Sequence, residues 1–286
     1  EVMEERVEER VFRAVAEKAP EISDGIVHRR KYSGTRNRSE DLQLEADIWS
    51  NEILKEEITS IEGVGQFVSE EEEEIVECGE GYGVTVDPLD GSSNIPTNNL
   101  VGTIVGIYDR ELPCRGRHLV SAFYVLYGPI TTIIRAQDGN VEEFVVKEKE
   151  GETELHRSHE NIQLPEPTVY GFGGNLGWFQ EFQEMERAVK EELKLRYGGS
   201  LVGDSNQILH QGGIFGYPGV KGSEEGKIRL LFEANPMAYV FECAGGRSSD
   251  GEMSVLDREP EHIHQRTPLF IGNREMVDDI ETRINR

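Results

Sequence analysis

The stretch GYGVTVDPLDGSSNIPTNNLVGTIVGIY (81–108) contains two apolar runs separated by a polar turn. The runs at 81–86 and 100–108 are rich in Val and Ile and are bounded by Pro, Gly and Asn, a pattern typical of two strands joined by a turn. The turn DPLDGSSN (87–94) places two carboxylates three residues apart, and Pro88 fixes one backbone dihedral between them. The stretch therefore predicts a strand–turn–strand unit whose turn can carry polar chemistry.

Carboxylates also follow two other predicted strands. The strand that begins at Ile61 ends in QFVSEEEEE (66–74), which places Glu70 and Glu71 directly after its apolar part. The strand IRLLFE (228–233) ends on Glu233. Because polar groups at strand ends gather at the rim of a sheet in α/β folds, we expect these carboxylates to converge with those of the turn. Mg²⁺ prefers such oxygen ligands and shares them with substrate phosphate.

The turn itself suits a metal and a phosphate. Asp87 and Asp90 can point to the same side of it, and the carbonyl of Leu89 between them can reach a metal. Backbone N–H groups and hydroxyls of the next three residues can cradle a phosphate; these are Gly91, Ser92 and Ser93. The alternative is an ordinary Asp-rich surface turn. The whole eight-residue string, with acidic strand ends before and after it, favours a metal–phosphate site.

The rest of the chain alternates between helical and strand patterns. We predict helices at 3–18, 40–58, 178–194, 201–211 and 236–245, with strands between them and a final helix after PLFIG (268–272). The composition becomes polar and turn-like over 147–168, which we interpret as a junction between two subdomains. The predicted fold class is α/β, in the α+β layered sense, with stacked helix and sheet layers. The predicted domains are residues 1–163, with the metal and phosphate site, and residues 164–286, with sugar-phosphate binding.

The charge excludes two classes of partner. The 286 residues include 55 Asp and Glu against 30 Lys and Arg, a net charge of −25. A nucleic-acid backbone or an anionic membrane surface would be repelled. No apolar stretch approaches the roughly 20 residues of a membrane span, and the first ten residues, EVMEERVEER, are too charged for a secretory signal. The three cysteines are isolated, which favours a reducing cytoplasm over a disulfide scaffold or a zinc site.

Five segments resemble the signature blocks of class I fructose-1,6-bisphosphatases. They are DPLDGSSNI (87–95), VSEEEE (68–73), LRYGGSLVGD (195–204), GGIFGYP (212–218) and LLFEANPMAYVFECAGGRSSDG (230–251). Their order and spacing match over about residues 40 to 250. The DPxDG motif alone indicates the wider superfamily of metal-dependent phosphatases, which includes inositol monophosphatases. NPMAYVFECAGG (235–246), with Lys227 six residues before Glu233, narrows the resemblance to the bisphosphatases.

The resemblance implies a layered sugar-phosphatase fold and a magnesium-dependent enzyme of carbohydrate metabolism. Such an enzyme hydrolyses the 1-phosphate of fructose 1,6-bisphosphate to fructose 6-phosphate and phosphate, in gluconeogenesis. It implies two or three Mg²⁺ ions per site, with Mn²⁺ as an alternative. It also implies a cytoplasmic homo-oligomer, a tetramer or a dimer.

The resemblance also assigns roles to residues. Asp41, Asp47 and Glu71 would position and deprotonate the attacking water. The implied metal ligands are Glu70, Asp87, the Leu89 carbonyl, Asp90 and Glu233. The implied substrate-binding residues are Asp90, Gly91, Ser92, Ser93, Asn175, Arg196, Tyr197 and Lys227. Arg196 resembles an arginine that reaches into the active site of a neighbouring subunit.

Two departures from the family pattern border the pocket expected for the 6-phosphate. Gln211 stands where the family commonly has an aromatic residue, and the segment NLGW (175–178) contains Leu176 and Trp178. The alternatives are therefore a sedoheptulose-1,7-bisphosphatase or an inositol monophosphatase. A metal- or sugar-phosphate-binding protein without activity is a further alternative from a different functional class.

The acidic composition has two interpretations, an acidic mesophilic protein or a protein adapted to a cytoplasm of very high salt, and we favour the second. Surface carboxylates repel one another over about 10 Å in about 0.1 M salt but over only about 3 Å in about 1 M salt. The low hydrophobic content of 36% leaves less core stabilisation to oppose that repulsion.

We therefore predict that folding and activity require molar KCl or NaCl. The measurement is a thermal melt together with an activity assay, from dilute KCl to about saturation. A melting temperature that stays flat across the series would show that the acidic surface has no role in salt adaptation.

Overall fold

The computed structural model describes residues 5–36 and 42–284. It contains six α-helices: α1 (Val7–Ile26), α2 (Glu45–Thr59), α3 (Gln180–Glu192), α4 (Leu201–Gln211), α5 (Asn235–Cys243) and α6 (Arg274–Ile284). No helix among the described residues combines the length and the apolar character that a bilayer crossing requires.

Seventeen strands accompany these helices in the described residues. The first ten are β1 (Tyr32–Arg36), β2 (Leu42–Leu44), β3 (Val64–Ser69), β4 (Val76–Glu77), β5 (Tyr82–Asp90), β6 (Val101–Tyr108), β7 (Leu119–Tyr127), β8 (Thr131–Gln137), β9 (Asn140–Lys149) and β10 (Glu152–His159). The remainder are β11 (Val169–Phe172), β12 (Lys194–Leu195), β13 (Gly213–Tyr217), β14 (Ile228–Arg229), β15 (Arg247–Ser249), β16 (Arg266–Thr267) and β17 (Leu269–Gly272).

The larger sheet has eight strands in the order β10-β9-β8-β7-β6-β5-β3-β4. All of its pairings are antiparallel except that of β3 with β5, which is parallel. In this parallel pair Ser69 lies opposite Val86, and the N–H of Glu70 donates to the carbonyl of Val86 at 3.0 Å. Two strands that run the same way end at the same edge, so the residues after Ser69 meet Asp87 there.

The smaller sheet has five strands in the order β12-β11-β13-β17-β15. Helices α4 and α5 pack between the two sheets, α1 and α2 cover the outer face of the large sheet, and α3 and α6 cover the outer face of the small one. Three apolar clusters hold the layers together. Leu54 and Phe67 belong to the cluster beneath α1 and α2, Val202 and Phe241 to the cluster between the two sheets, and Phe182 and Phe270 to the cluster beneath α3 and α6. The five stacked layers confirm the predicted α/β class.

Several of the predicted elements were wrong in extent. The helix predicted at 3–18 is α1 (Val7–Ile26), and the strand predicted at 81–86 is β5, which continues to Asp90 and includes the first half of the predicted turn. The helix predicted at 40–58 begins at Glu45, because residues 42–44 form β2 and pair with β1. The strand predicted to run to Glu233 ends at Arg229, and a π-helical turn (Leu230–Ala234) follows it. The segment 147–159, predicted as turn-like, is the hairpin of β9 and β10. β10 is an edge strand with mostly exposed side chains, so it lacks the apolar alternation that identifies a half-buried strand.

Candidate active site

A polar cavity of about 330 Å³ opens where β3, β5 and β14 end. Its walls come from the segments that the sequence singled out and from the start of α4. The lining includes Gln43, Asp47, Glu70, Glu71, Asp87, Leu89, Asp90, Gly91, Ser92, Ser93, Gly199, Tyr217, Lys227, Arg229, Glu233 and Arg266. The predicted convergence of carboxylates at a sheet edge is thus present in the structure.

Three carboxylates form the centre of the cavity. One oxygen from each of Glu70, Asp87 and Glu233 lies within 4.8 Å of the other two. Asp87 and Glu233 are buried, and Glu70 is partly exposed. Each arrives from a different segment: Glu70 follows β3, Asp87 lies in β5, and Glu233 lies in the π-helical turn after β14.

Backbone donors hold two of these carboxylates in place. The N–H of Leu89 donates to Asp87 Oδ1 at 3.1 Å, and the N–H of Arg229 donates to Glu233 Oε2 at 2.8 Å. The Arg229 guanidinium is itself buried, and its Nε lies 3.6 Å from Glu70 Oε1. One arginine therefore contacts two members of the group, through its backbone and through its side chain.

Asp90 is held by the beginning of a helix. The N–H of Val202, in the first turn of α4, donates to Asp90 Oδ2 at 2.8 Å. This donor and the positive end of the helix dipole stabilise a carboxylate at that point. Asp90 lines the same cavity but is not one of the three carboxylates whose oxygens lie within 4.8 Å of one another.

The turn after Asp90 has a conformation that requires glycine. Gly91 has φ of +73°, and a Cβ added there would lie 2.3 Å from the Cβ of Ser200. A short 3₁₀ helix (Ser92–Thr97) follows at once, and Ser92 and Ser93 both line the cavity. We refer to residues 91–94 as the phosphate loop.

A second acidic pair, Asp47 and Glu71, lines the cavity beside the phosphate loop. The N–H of Leu44 donates to Asp47 Oδ2 at 2.7 Å, and the Ser92 hydroxyl lies close enough to Asp47 to lower its pKa. The side-chain amide of Gln43 donates to Glu71. Asp47 and Glu71 therefore line the cavity with fixed orientations, next to the three central carboxylates.

Burial raises the pKa of three of the carboxylates that line the cavity, Asp47, Glu71 and Asp90. The pKa of Asp47 is raised to about 6, chiefly by burial, although the Leu44 N–H and the Ser92 hydroxyl oppose the shift. Burial, with the charges of Glu70 and Asp47, raises the pKa of Glu71 to about 8. Burial raises the pKa of Asp90 to about 7.

The pKa values of two central carboxylates, Asp87 and Glu233, are also raised. Burial and the charge of Glu70 raise the pKa values of Asp87 and Glu233 well above the ordinary range. Closely spaced buried carboxylates need cations to remain ionised, so this set of oxygen donors fits a hard divalent ion.

The far wall of the cavity carries a cation and an aromatic ring. The Lys227 ammonium lies 5.6 Å from the centre of the Tyr217 ring, and the hydroxyls of Tyr217 and Tyr197 are 3.0 Å apart. Tyr217 and Lys227 line the cavity. Tyr197 does not line it, and neither does Arg196, which is exposed and donates to the Leu195 carbonyl at 3.0 Å.

Five of the lining residues named above were not predicted as site residues: Tyr217, Arg229, Gln43, Gly199 and Arg266. Tyr217 stands in the quoted GGIFGYP block and Arg229 in IRLLFE, so their positions were visible although their roles were not. Two predicted residues lie beyond this description: Asp41 is outside the described residues, and the side chain of Asn175 is not described.

Two family models match the chain. One, described as the N-terminal domain of fructose-1-6-bisphosphatase, matches residues 11–158, and one described as its C-terminal domain matches residues 164–285.

Relatives of known name span almost the whole chain. A class 1 fructose-1,6-bisphosphatase of Natronomonas pharaonis is 48% identical over 94% of this chain and 96% of its own length. One of Halobacterium salinarum is 46% identical over 96% of both. The crystal structure of Leishmania major fructose-1,6-bisphosphatase in holo form is similar with a TM-score of 0.90 and 31% identity, over 96% of this chain and 94% of that one.

The raised pKa values predict how stability depends on pH without metal. Carboxylates of the unfolded chain titrate near about pH 4, so the folded protein binds more protons near neutrality. Proton binding to the buried carboxylates stabilises the folded chain fully below about pH 4. This stabilisation is lost as pH rises through about 6, 7 and 8, the pKa values of Asp47, Asp90 and Glu71. We expect the melting temperature in chelator to fall over this range and Mg²⁺ to restore it.

The Asp87→Asn variant provides the matched comparison. Because it removes one buried charge from the cluster, its melting temperature in chelator should fall less steeply with pH, and Mg²⁺ should stabilise it less. A melting temperature of the parent protein that rises with pH in chelator would contradict this account of the cluster.

Proposed function

The chain belongs to the fructose-1,6-bisphosphatase family, and we propose that its cavity hydrolyses the 1-phosphate of fructose 1,6-bisphosphate to fructose 6-phosphate and phosphate. One observation carries the proposal most directly. Three carboxylate oxygens within 4.8 Å of one another stand beside the phosphate loop, and Lys227 lines the same cavity. A cation site, a phosphate cradle and a second anion-binding group thus share one space.

The carboxylates would hold divalent metal. Glu70, Asp87 and Glu233 would form the centre of the site, with Asp90 and the Leu89 carbonyl as additional ligands. We propose Mg²⁺, two or three ions per site, with Mn²⁺ as an alternative. When bound, such ions neutralise phosphate charge and lower the pKa of a coordinated water.

Asp47 and Glu71 would orient the attacking water and accept its proton. Both line the cavity beside the phosphate loop, and backbone or amide donors fix their orientation. The pKa of Glu71, about 8, is close enough to neutrality for a general base. Asp41 would assist them. The water gives a proton to these carboxylates and attacks phosphorus in line with the sugar O1. The bond from phosphorus to O1 breaks and O1 takes up a proton, so fructose 6-phosphate and inorganic phosphate result.

The phosphate loop would grip the 1-phosphate. Backbone N–H groups and the hydroxyls of Ser92 and Ser93 are the donors, and Gly91 allows the tight turn before them. These donors are fixed before the substrate arrives, and phosphoryl transfer depends mostly on such positioning and on electrostatics.

Lys227, Tyr217, Tyr197 and Asn175 would hold the sugar and its 6-phosphate. Arg196 would complete this pocket in a neighbouring subunit, since it lies exposed after the edge strand β12 and outside its own cavity. We therefore propose a homo-oligomer, a dimer or a tetramer. Lys227 argues against inositol monophosphatase, because a monophosphate has no second anion for it. Sedoheptulose 1,7-bisphosphate has one, so it remains the rival substrate.

Three further proposals concern the subdomains, the cellular location and the salt adaptation of the protein. The proposed subdomains are residues 1–163, with the metal and phosphate site, and 164–286, with most of the sugar-phosphate groups. The protein would act in the cytoplasm, where its three cysteines stay free thiols. Salt adaptation is supported by the net charge of −25 and by the relatives in Natronomonas pharaonis and Halobacterium salinarum.

A panel of purified sugar phosphates, assayed for phosphate release with and without Mg²⁺, tests the proposed function. We expect Mg²⁺-dependent release, fastest with fructose 1,6-bisphosphate. Faster release from sedoheptulose 1,7-bisphosphate or from inositol 1-phosphate would identify the corresponding alternative. Binding without release would identify a protein that binds metal or sugar phosphate without activity.

Removal of the Lys227 ammonium should weaken binding of the bisphosphate more than binding of the monophosphate. In Lys227→Ala we expect KM for fructose 1,6-bisphosphate to rise about tenfold or more, since a charge-assisted contact is lost, while fructose 1-phosphate is affected much less. Steady-state kinetics on both substrates measure the difference. An equal loss on the two substrates would show that Lys227 does not contact the second phosphate.

Replacement of Glu71 should lower turnover and leave substrate binding largely unchanged. Glu71→Gln should lower kcat by about 10²- to 10⁴-fold, the usual contribution of a general base. The neighbouring residue offers a matched control, because Glu72 instead pairs with Asn51 and Lys55 at 2.8 and 2.9 Å and does not line the cavity. Glu72→Gln should keep its kcat. A comparable kcat in both variants would remove Glu71 from the base system.

A further inference from the structure

A two-glycine turn links the two ends of the proposed substrate site. Gly198 and Gly199, here called the glycine turn, lie between β12 and α4. Tyr197 directly precedes them, and Gly199 lines the cavity. Gly199 has φ of +85°, a left-handed conformation that a larger residue adopts only with strain.

Asp204 holds this turn from one side. Its Oδ1 accepts the N–H of Gly198 at 2.5 Å and its Oδ2 accepts the N–H of Gly199 at 3.0 Å. Asp204 lies in the first half of α4 and is almost fully buried, with 2% of its surface exposed. Both oxygens of one buried carboxylate are thus used on two consecutive backbone donors.

Asn94 holds the same turn from the other side. Its side-chain amide donates to the Gly198 carbonyl at 2.9 Å and to the Leu100 carbonyl at 3.0 Å. Asn94 is the last residue of the phosphate loop, so the glycine turn is tied at once to that loop and to α4. The same helix holds Asp90 through the Val202 N–H.

Packing does not fix Tyr197 in the way that it fixes a core residue, since 47% of its surface is exposed. Its position depends on the backbone of the glycine turn and on the contact of its hydroxyl with that of Tyr217. The distance between Tyr197 and the phosphate loop is therefore set by the bonds from Asp204 and Asn94.

We propose that Asp204 is a positioning residue for recognition of the second phosphate: it holds Tyr197 at a fixed distance from the phosphate loop. This inference rests on the proposed function, because it assumes a substrate with two phosphates. Asp204 does not line the cavity and touches no reacting group. Its effect would be on selectivity between substrates and not on the chemical step.

The test compares Asp204→Asn with the parent enzyme on fructose 1,6-bisphosphate and fructose 1-phosphate in Mg²⁺. An asparagine side chain has one acceptor in place of two, and its amide would face an N–H, so the glycine turn loses a fixed position. We expect KM for the bisphosphate to rise about tenfold with kcat within about twofold, as when a charge-assisted contact is lost. Kinetic constants for fructose 1-phosphate should stay within about twofold of the parent values.

Asp250→Asn is the matched control. Asp250 is also buried and accepts two backbone N–H groups, from Glu252 at 2.9 Å and Met253 at 3.0 Å, but it does not line the catalytic cavity. Its other oxygen accepts from Arg258 at 2.6 Å. Its substrate selectivity should equal that of the parent. Gly198→Ala, whose added Cβ would lie 3.3 Å from Asp204 Oδ1 and so disturb the same contact from the other partner, gives a second route if Asp204→Asn does not fold. Its selectivity should shift in the same direction.

Two results would overturn the inference. The first is an equal loss on both substrates in Asp204→Asn and Gly198→Ala, which indicates a general structural role. The second is unchanged selectivity in a folded variant. A parent enzyme with no preference for the bisphosphate would instead overturn the proposed function, and this inference with it, so the parent measurement separates the two failures.

Discussion

The repulsion between buried carboxylates is the interaction on which the rest of the site depends. Glu70, Asp87 and Glu233 bring one oxygen each within 4.8 Å of the others, and Asp90 stands beside them in the same cavity. Arg229 faces Glu70 from within the protein, but one arginine cannot neutralise four carboxylates. The fold therefore holds ionisable groups in an arrangement that protons or divalent cations must complete, and that requirement suits it to bind a metal together with a phosphate.

Rigid elements of the fold hold these carboxylates in place against their mutual repulsion. The parallel pairing of β3 with β5, the one parallel contact in an otherwise antiparallel sheet, brings Glu70 next to Asp87. The π-helical turn after β14 directs Glu233 back towards the N–H of Arg229. Helix α4 contributes from the layer between the sheets, because its first turn holds Asp90 and its next residues hold the glycine turn. The proposed metal, phosphate and sugar groups would thus share one framework.

Much of this site could be predicted from the sequence because its residues are local to strand ends. The spacing of the DPLDGSSN motif and the position of the acidic residues after β3 and β14 identify them as candidate site residues. Because neighbouring strands end at the same edge of a sheet, these residues were expected to lie close together. Contacts between distant segments could not be predicted: nothing local to Asp90 indicates Val202, and nothing local to Gly198 indicates Asn94. Arg229 has the pattern of an ordinary strand residue. β10 was missed because charged side chains on an edge strand resemble a solvated loop.

Proton release on metal binding tests the central claim most directly, namely that the carboxylate cluster is a cation site occupied by protons when metal is absent. The measurement is isothermal titration calorimetry of the metal-free protein with Mg²⁺ near pH 7, in two buffers of different ionisation enthalpy. The account predicts net proton release, since raised pKa values such as that of Asp90, about 7, leave carboxylates partly protonated. Binding of Mg²⁺ with the same heat in both buffers would mean that no protons leave, and would contradict it.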